Sequence, residues 1–192
     1  SVRYSSLSAA NAQNIIAGGA TGGTGGDNTS IWLIGWGAQS LFGIFPKGSK
    51  AGLEHKNLGE ETVEATAGIA GTRMRAYRDM WIWDCGIALR DWRYTVRIPN
   101  IDVTNLVGKT SAADIIELMI KAIHRIPNIR AVRPVFYMNR TCMEMLDIMR
   151  RDDVISGGGL TFADVDGKIQ YSFRGIPIRI CDAILETETL VS

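Results

Sequence analysis

Cysteine is scarce in this chain: Cys85, Cys142 and Cys181 are the only three in 192 residues. An odd, scattered set argues against a disulfide framework, and the absence of a CxxC pair argues against a structural zinc site. An odd number of thiols fits a reducing compartment, or synthesis in one. Histidine is scarcer still, with only His55 and His124. They form no HxH or HExxH arrangement, so a catalytic metal has no obvious ligand set. No apolar run approaches the roughly 18 residues of a membrane-spanning helix. No signal-peptide pattern is visible. Net charge is nearly absent as well, at +1, which gives no bulk pull toward nucleic acid or membrane. Lysine is rare beside arginine, six against fifteen. Arginine forms planar, two-point ion pairs with carboxylates and suits interfaces better than lysine does. The chain opens at Ser1-Val2-Arg3-Tyr4 without an initiator methionine and reads as a fragment or a processed product.

Reaction centres are missing too. Gly18–Gly26 is glycine-rich, but a phosphate-binding loop needs a Gly-Lys-Ser/Thr ending between strand and helix. Here Asp27-Asn28 follows, and a strand comes next. Gly157–Gly159 is not followed by a helix with a cation. Cys142 falls one turn into a helix starting at Asn139, where a thiol pKa can drop. Neither histidine is placed to serve it as a base. Cys85 and Cys181 read as packing residues on apolar strand faces. Glu60-Glu61 and Asp152-Asp153 read as solvated surface rather than an acid–base pair. Arg73, Arg75 and Arg78 form a basic cluster that suits either DNA or salt bridges between subunits. The five tryptophans, Trp32, Trp36, Trp81, Trp83 and Trp92, could stack bases, yet period-two tryptophans beside aliphatics more often serve a core or an interface. No catalytic, cofactor-binding or metal-binding residue emerges, and no cofactor.

What is present is amphipathic strand. Trp81, Trp83, Cys85, Ile87 and Leu89 alternate on one face. Past Arg90-Asp91 the phase flips to Trp92, Tyr94, Val96 and Ile98, with Arg93, Thr95 and Arg97 opposite. Fully extended, Trp81–Ile98 would span about 60 Å at ~3.3 Å per residue. A domain of this length is only about 40 Å across. The strand must bend, break or leave the globule, with Gly86 and Arg90-Asp91 as the break points. Its tryptophan and arginine rows imply a surface covered by another subunit.

Around that run, residues 1–30 read as a flexible Gly-rich linker. Ile31–Trp36 reads as a buried strand, returning through a turn as a hairpin with Leu41–Phe45. Lys50–Gly71 reads as a polar surface excursion with a short strand at Thr62–Thr66. Ser111 and Asp114 open a helix whose stripe is Ile115, Leu118, Met119, Ala122, Ile123 and Ile126. Pro127 ends it. Pro134–Met138 is a wholly apolar, hence central, strand. Asn139 caps a second helix to about Arg151, with Met143, Leu146 and Met149 inward. Ile169–Phe173 and Ile176–Cys181 are strands joined at Arg174-Gly175. The order predicts a β-rich lobe over 28–104, an α/β lobe over 105–185 and a tail over 186–192.

Several strings together resemble a known family: Ser30–Gly37 (SIWLIGWG), Gly43–Leu53 (GIFPKGSKAGL), Asp91–Tyr94 (DWRY), Arg97-Ile98 and Asn100–Asp102. Further on come His124–Pro127 (HRIP), Arg133–Arg140 (RPVFYMNR), Phe173–Arg179 (FRGIPIR) and Cys181–Ala183 (CDA). In order and over nearly the whole chain, they are similar to the major capsid protein of epsilon-fifteen-type short-tailed bacteriophages and prophages. The resemblance implies an α+β fold of the Hong Kong 97 type, with an extended β-rich peripheral lobe and a compact α/β axial lobe. Family members carry an N-terminal arm, an extended loop and a spine helix before the matching stretch. This chain lacks them and is expected to be the C-terminal portion or a truncated prophage copy.

The implied function is structural, not enzymatic: self-assembly, as pentamers and hexamers, into an icosahedral virion shell around packaged DNA, built in the bacterial host cytoplasm. Implied partners are copies of itself, head proteins such as portal or scaffold, and DNA at most non-specifically. No membrane or small-molecule substrate is implied. The alternatives are a nucleic-acid-binding module and the shell protein of a cellular nanocompartment.

Overall fold

The computed structural model describes residues 2–19, 26–48, 52–65, 71–108, 114–152, 160–165 and 168–192. They divide into two compact units, Ser1–Phe42 with Leu89–Ser192, and Gly43–Ala88. In chain order the strands are β1 (Asn28–Trp36), β2 (Leu41–Ile44), β3 (Glu54–Glu64), β4 (Arg73–Ile82), β5 (Gly86–Leu89), β6 (Thr95–Asp102), β7 (Arg133–Met138), β8 (Leu160–Val165), β9 (Lys168–Phe173) and β10 (Ile176–Ile180). The α-helices are α1 (Val103–Gly108), α2 (Ile115–Arg125) and α3 (Arg140–Asp152).

The first unit is organised around β1. Its apolar run IWLIGW is paired antiparallel on both sides, with β6 (Leu33 opposite Val96) and with β7 (Leu33 opposite Phe136). β10 continues the sheet, parallel to β7, and β9 and β8 follow antiparallel. The register brings Ile31, Leu33, Val96, Ile98, Phe136, Met138 and Ile178 onto one face, and all are buried. Helix α2 brings Ile115, Leu118, Met119 and Ala122 to that core, and α3 brings Cys142, Met143 and Leu146. Asp114 caps α2 by accepting from Glu117 N, and Asn139 caps α3 by accepting from Cys142 N. Arg174 and Gly175 both have positive φ, the geometry of the tight turn that closes the β9–β10 hairpin.

The opposite face of β1 is held by chain ends. Residues 2–19 depart from the linker expected over 1–30. Arg97 N donates to Asn14 O at 2.7 Å, Ile16 N to Arg97 O at 3.0 Å, and Gly18 N to Pro99 O at 2.7 Å. This run therefore lies along the outer edge of β6, with Ile15 and Ile16 buried. Arg97 is the cross-tie: it bonds Tyr4 O at 2.7 Å and Ser30 Oγ at 3.1 Å, and pairs with Glu188 at 2.8 Å. Its guanidinium lies 5.3 Å from the Trp32 ring centre. A bulge between Thr29 and Ile31 gives β6 one extra residue, and Asn100 takes it at φ 62°. Asparagine tolerates that left-handed conformation. Its side-chain amide then pairs both ways with the Val191 backbone, at 2.7 and 2.8 Å, fastening the C-terminal segment.

Several expectations are corrected. β2 meets β1 in the parallel sense through Trp36 and Leu41, not as an antiparallel hairpin, because β6 and β7 already occupy both edges of β1. The long run Trp81–Ile98 is four pieces: β4 stops at Ile82, β5 is short, Trp92–Tyr94 form a 3-10 turn capped by Asp91, and β6 starts at Thr95. Lys50–Gly71 is not merely an excursion, since β3 occupies Glu54–Glu64 and pairs with β4 along its length. Asp114, not Ser111, caps α2, and Ser111 lies outside the described residues. The units divide near residues 42 and 89 rather than at 104, because β1 and β6 share one sheet with β7.

A methyl group on Gly18 would sit 2.7 Å from both Asn100 O and Pro99 O, which are backbone atoms that cannot swing aside. Gly18→Ala is expected to lower the urea midpoint by the equivalent of about 1–3 kcal/mol. Gly48→Ala, whose methyl meets nothing within 4 Å, should cost less, through its positive φ alone.

Candidate functional site

The structure gathers no reaction centre from the candidates. Among the described residues no group of three or more His, Cys, Asp or Glu is placed to hold a metal. The Cys142 thiol is fully buried, and burial pushes its pKa up to about 12, with the nearby Glu186 carboxylate adding to the rise. This reverses the lowered pKa expected at a helix start, because desolvation outweighs the helix field. Cys85, expected to pack, is exposed instead. Residues 20–25 and 153–159, which hold most of both glycine clusters, lie outside the described residues.

The basic cluster is largely neutralised within its own hairpin. Arg75 pairs with Glu60 at 3.6 Å, and Arg78 pairs with Glu61. Arg73 stands opposite Glu64 in the register. His55 stacks on Trp81 at 4.2 Å and reaches Asp79 at 3.1 Å. The acidic pair of the sequence reading is thus one half of a cross-strand ion-pair set.

The second unit has another distinction: none of its described residues is buried. β3 and β4 form a two-stranded ribbon, with no third strand among the described residues. Such ribbons are marginal in water without a covered face. Yet Tyr77 is 82% exposed, Trp83 66% and Trp81 62%, and Phe45, Leu53 and Ile87 are similarly open. Ile44, Phe45, Pro46 and Trp83 line an open pocket of about 440 Å³ with Asp84, Cys85 and Gly86. Of the two alternating rows, Trp81, Trp83, Cys85, Ile87 and Leu89 all face solvent. Val96 and Ile98 are in the core, and Trp92 and Tyr94 are half-buried beside the N-terminal segment. Arg3 lies 4.1 Å from the Trp92 ring, and Asn14 bonds the Trp92 carbonyl at 2.8 Å.

A fold that assembles no reaction centre among its described residues and displays its indoles is built for contact. Comparison with protein families matches Major capsid protein GP7 over residues 1–192. The chain belongs to the major capsid protein GP7 family. Among solved structures, a chain of the bacteriophage Epsilon15 structure derived from cryo-EM is similar, at 32% identity and a TM-score of 0.59. The match covers 94% of this chain and 54% of that one, so the GP7-family chain spans about half the length of its Epsilon15 relative. No curated protein matches. The α+β fold expected from the resemblance is the fold found.

Membership in the GP7 family gives the chain a structural role, as a capsid subunit and virion component. It turns attention from pockets to surfaces. The ribbon is the feature that sequence reasoning missed. Its signal was charge: an acidic segment, Glu54–Glu64, followed closely by an arginine-rich one, Arg73–Ile82.

At pH 8 the exposed Cys85 is expected to react with iodoacetamide, and Cys142 only on unfolding. Folding holds the Cys142 proton more tightly than the unfolded chain does. Its contribution to stability is therefore complete below about pH 9 and is lost as pH rises toward about 12. The urea midpoint should fall more steeply over that window in the native sequence than in Cys142→Ala.

Proposed function

We propose that this chain is the self-associating part of a phage or prophage major capsid subunit, and that its work is to tile with copies of itself into an icosahedral shell around packaged DNA. The carrying observation is the second unit, which exposes Tyr77, Trp81, Trp83 and Phe45 and buries none of its described residues. Fully burying one large apolar side chain stabilises by roughly 1.5–3 kcal/mol. A surface of this kind persists in evolution when something covers it. Copies of the same chain are the natural cover in a closed symmetric assembly, where many modest contacts add up.

On this reading the protein has no catalytic activity. It assembles in the bacterial host cytoplasm, and portal or scaffold proteins meet it as neighbours in the head. Packaged DNA is touched at most non-specifically. The rival reading, a nucleic-acid-binding module, loses its main support because Arg75 and Arg78 are already paired with Glu60 and Glu61. A nanocompartment shell would use the same surfaces, and portal and terminase genes beside this one separate the two.

Trp83→Asp in the full-length product should abolish incorporation into particles while leaving the near-ultraviolet circular dichroism of the first unit intact. Trp92→Asp should act differently: that indole is half-buried against Arg3 and the N-terminal segment. It should lower thermal stability before it affects assembly. Normal particles from Trp83→Asp in negative-stain images would remove the exposed indole from the interface.

A further inference from the structure

The two strands of the ribbon are complementary in charge, and each has a second edge. β3 carries four carboxylates, Glu54, Glu60, Glu61 and Glu64, against a single lysine, Lys56. β4 carries three arginines, Arg73, Arg75 and Arg78, against a single aspartate, Asp79. Within one ribbon β4 already lies on β3, with Arg75 on Glu60 and Arg78 on Glu61. Among the described residues nothing pairs with the far edge of either strand.

We propose that these two far edges form a head-to-tail joint between copies, the basic β4 edge of one ribbon taking the acidic β3 edge of the next. This rests on the shell reading and names the contact within it. The antiparallel order β3–β4 would repeat as β3–β4–β3–β4, the second contact using the N–H and C=O groups of alternate residues that turn away from the first partner. Backbone groups supply the bonds, as in strand addition generally, and charge sets which edge meets which. Like edges repel: β3 against β3 sets carboxylate on carboxylate, and β4 against β4 sets guanidinium on guanidinium. The contact is therefore heterologous, the kind that closes into rings or extends into arrays rather than stopping at a dimer.

The position of the bulge supports the same segment. The register slips between Asn57 and Gly59, where Asn57 accepts from Gly59 N at 2.7 Å and Gly59 has φ 78°. A bulge interrupts strand addition. Beyond it the pairing from Glu60 to Glu64 against Arg73 to Tyr77 is unbroken. Glu60, Glu61, Glu64, Arg73 and Arg75 fall inside that stretch, and Arg78 stands at its limit.

The test uses charge reversal in the full-length product, read by sedimentation at low salt. One variant makes β3 basic, Glu60→Lys with Glu61→Lys. The other makes β4 acidic, Arg75→Glu with Arg78→Glu. Each alone should lose association at least tenfold, and an equimolar mixture should recover most of it, because each variant's altered strand then meets an opposite charge on the other. Mixing leaves the like charges inside each ribbon in place, so recovery reports the contact between copies. The fourfold exchange in one chain should associate like the native protein, and high salt should weaken the native contact. Recovery by the fourfold exchange but not by the mixture would confine these charges to one ribbon and overturn the joint. Native-like association of each single variant would also overturn it, while leaving the shell reading standing. A native full-length product that stays monomeric would take down both.

Discussion

Apolar surface has to leave water, and the two units of this chain meet that requirement in opposite ways. The first unit does so internally, by placing β1 between β6 and β7 and laying α2 and α3 over one face. The second unit fully buries none of its described residues. Its extended ribbon leaves aromatic side chains in solvent, which is stable only as part of something larger. A chain that buried Trp81 and Trp83 in its own core would offer neighbours little to hold.

The first unit can stand apart from the second because polar side chains do the work of backbone at its irregular places. Asn100 occupies a bulge that most residues would strain to adopt, and its amide replaces a strand partner for Val191. Arg97 ties Tyr4, Ser30 and Glu188 into one half-buried knot. A pair this shielded contributes more than a surface pair, since less water competes for its partners. The chain ends are thereby folded into the first unit, and its sheet gains cover on the face that the helices leave open.

Legibility from sequence followed the strength of the local signal. Helices α2 and α3 and strand β7 are legible because their apolar periodicity is strong and Asn139 is of the right chemical type to cap α3. The turn at Arg174-Gly175 was readable for the same reason. The ribbon was not, because a strand exposed on both faces has no hydrophobic alternation to betray it, and polarity alone looks like loop. Residues 2–19 were misjudged through their proximity to a glycine-rich stretch. Their order comes from the β6 edge more than 80 positions away, and no local rule reports a partner at that distance. The exposed row from Trp81 to Leu89 was identified as a surface needing cover, although the strand carrying it proved discontinuous. On ligand spacing alone the enzymatic possibilities are weak. Only the structure revealed that Cys142 sits in surroundings that hold its proton on.

The indoles and the ion pairs are separated along the ribbon, although Tyr77 and Met74 stand exposed among the charges, and that separation has a physical use. Trp81, Trp83 and Phe45 lie where β4 ends and β2 has just finished, whereas Glu60, Glu64, Arg73 and Arg75 lie beyond the bulge. Apolar contacts give affinity without direction; ion pairs give direction and register with little net affinity. A subunit that must find one correct neighbour among identical copies, and must be able to let go of a wrong one, needs both kinds. Placing all the apolar area along the ribbon would hold misaligned partners as firmly as aligned ones. Placing only charge there would leave each joint at the mercy of salt. In the proposed joint, weak, directional pairing at one end would test the alignment that the indoles at the other end then hold.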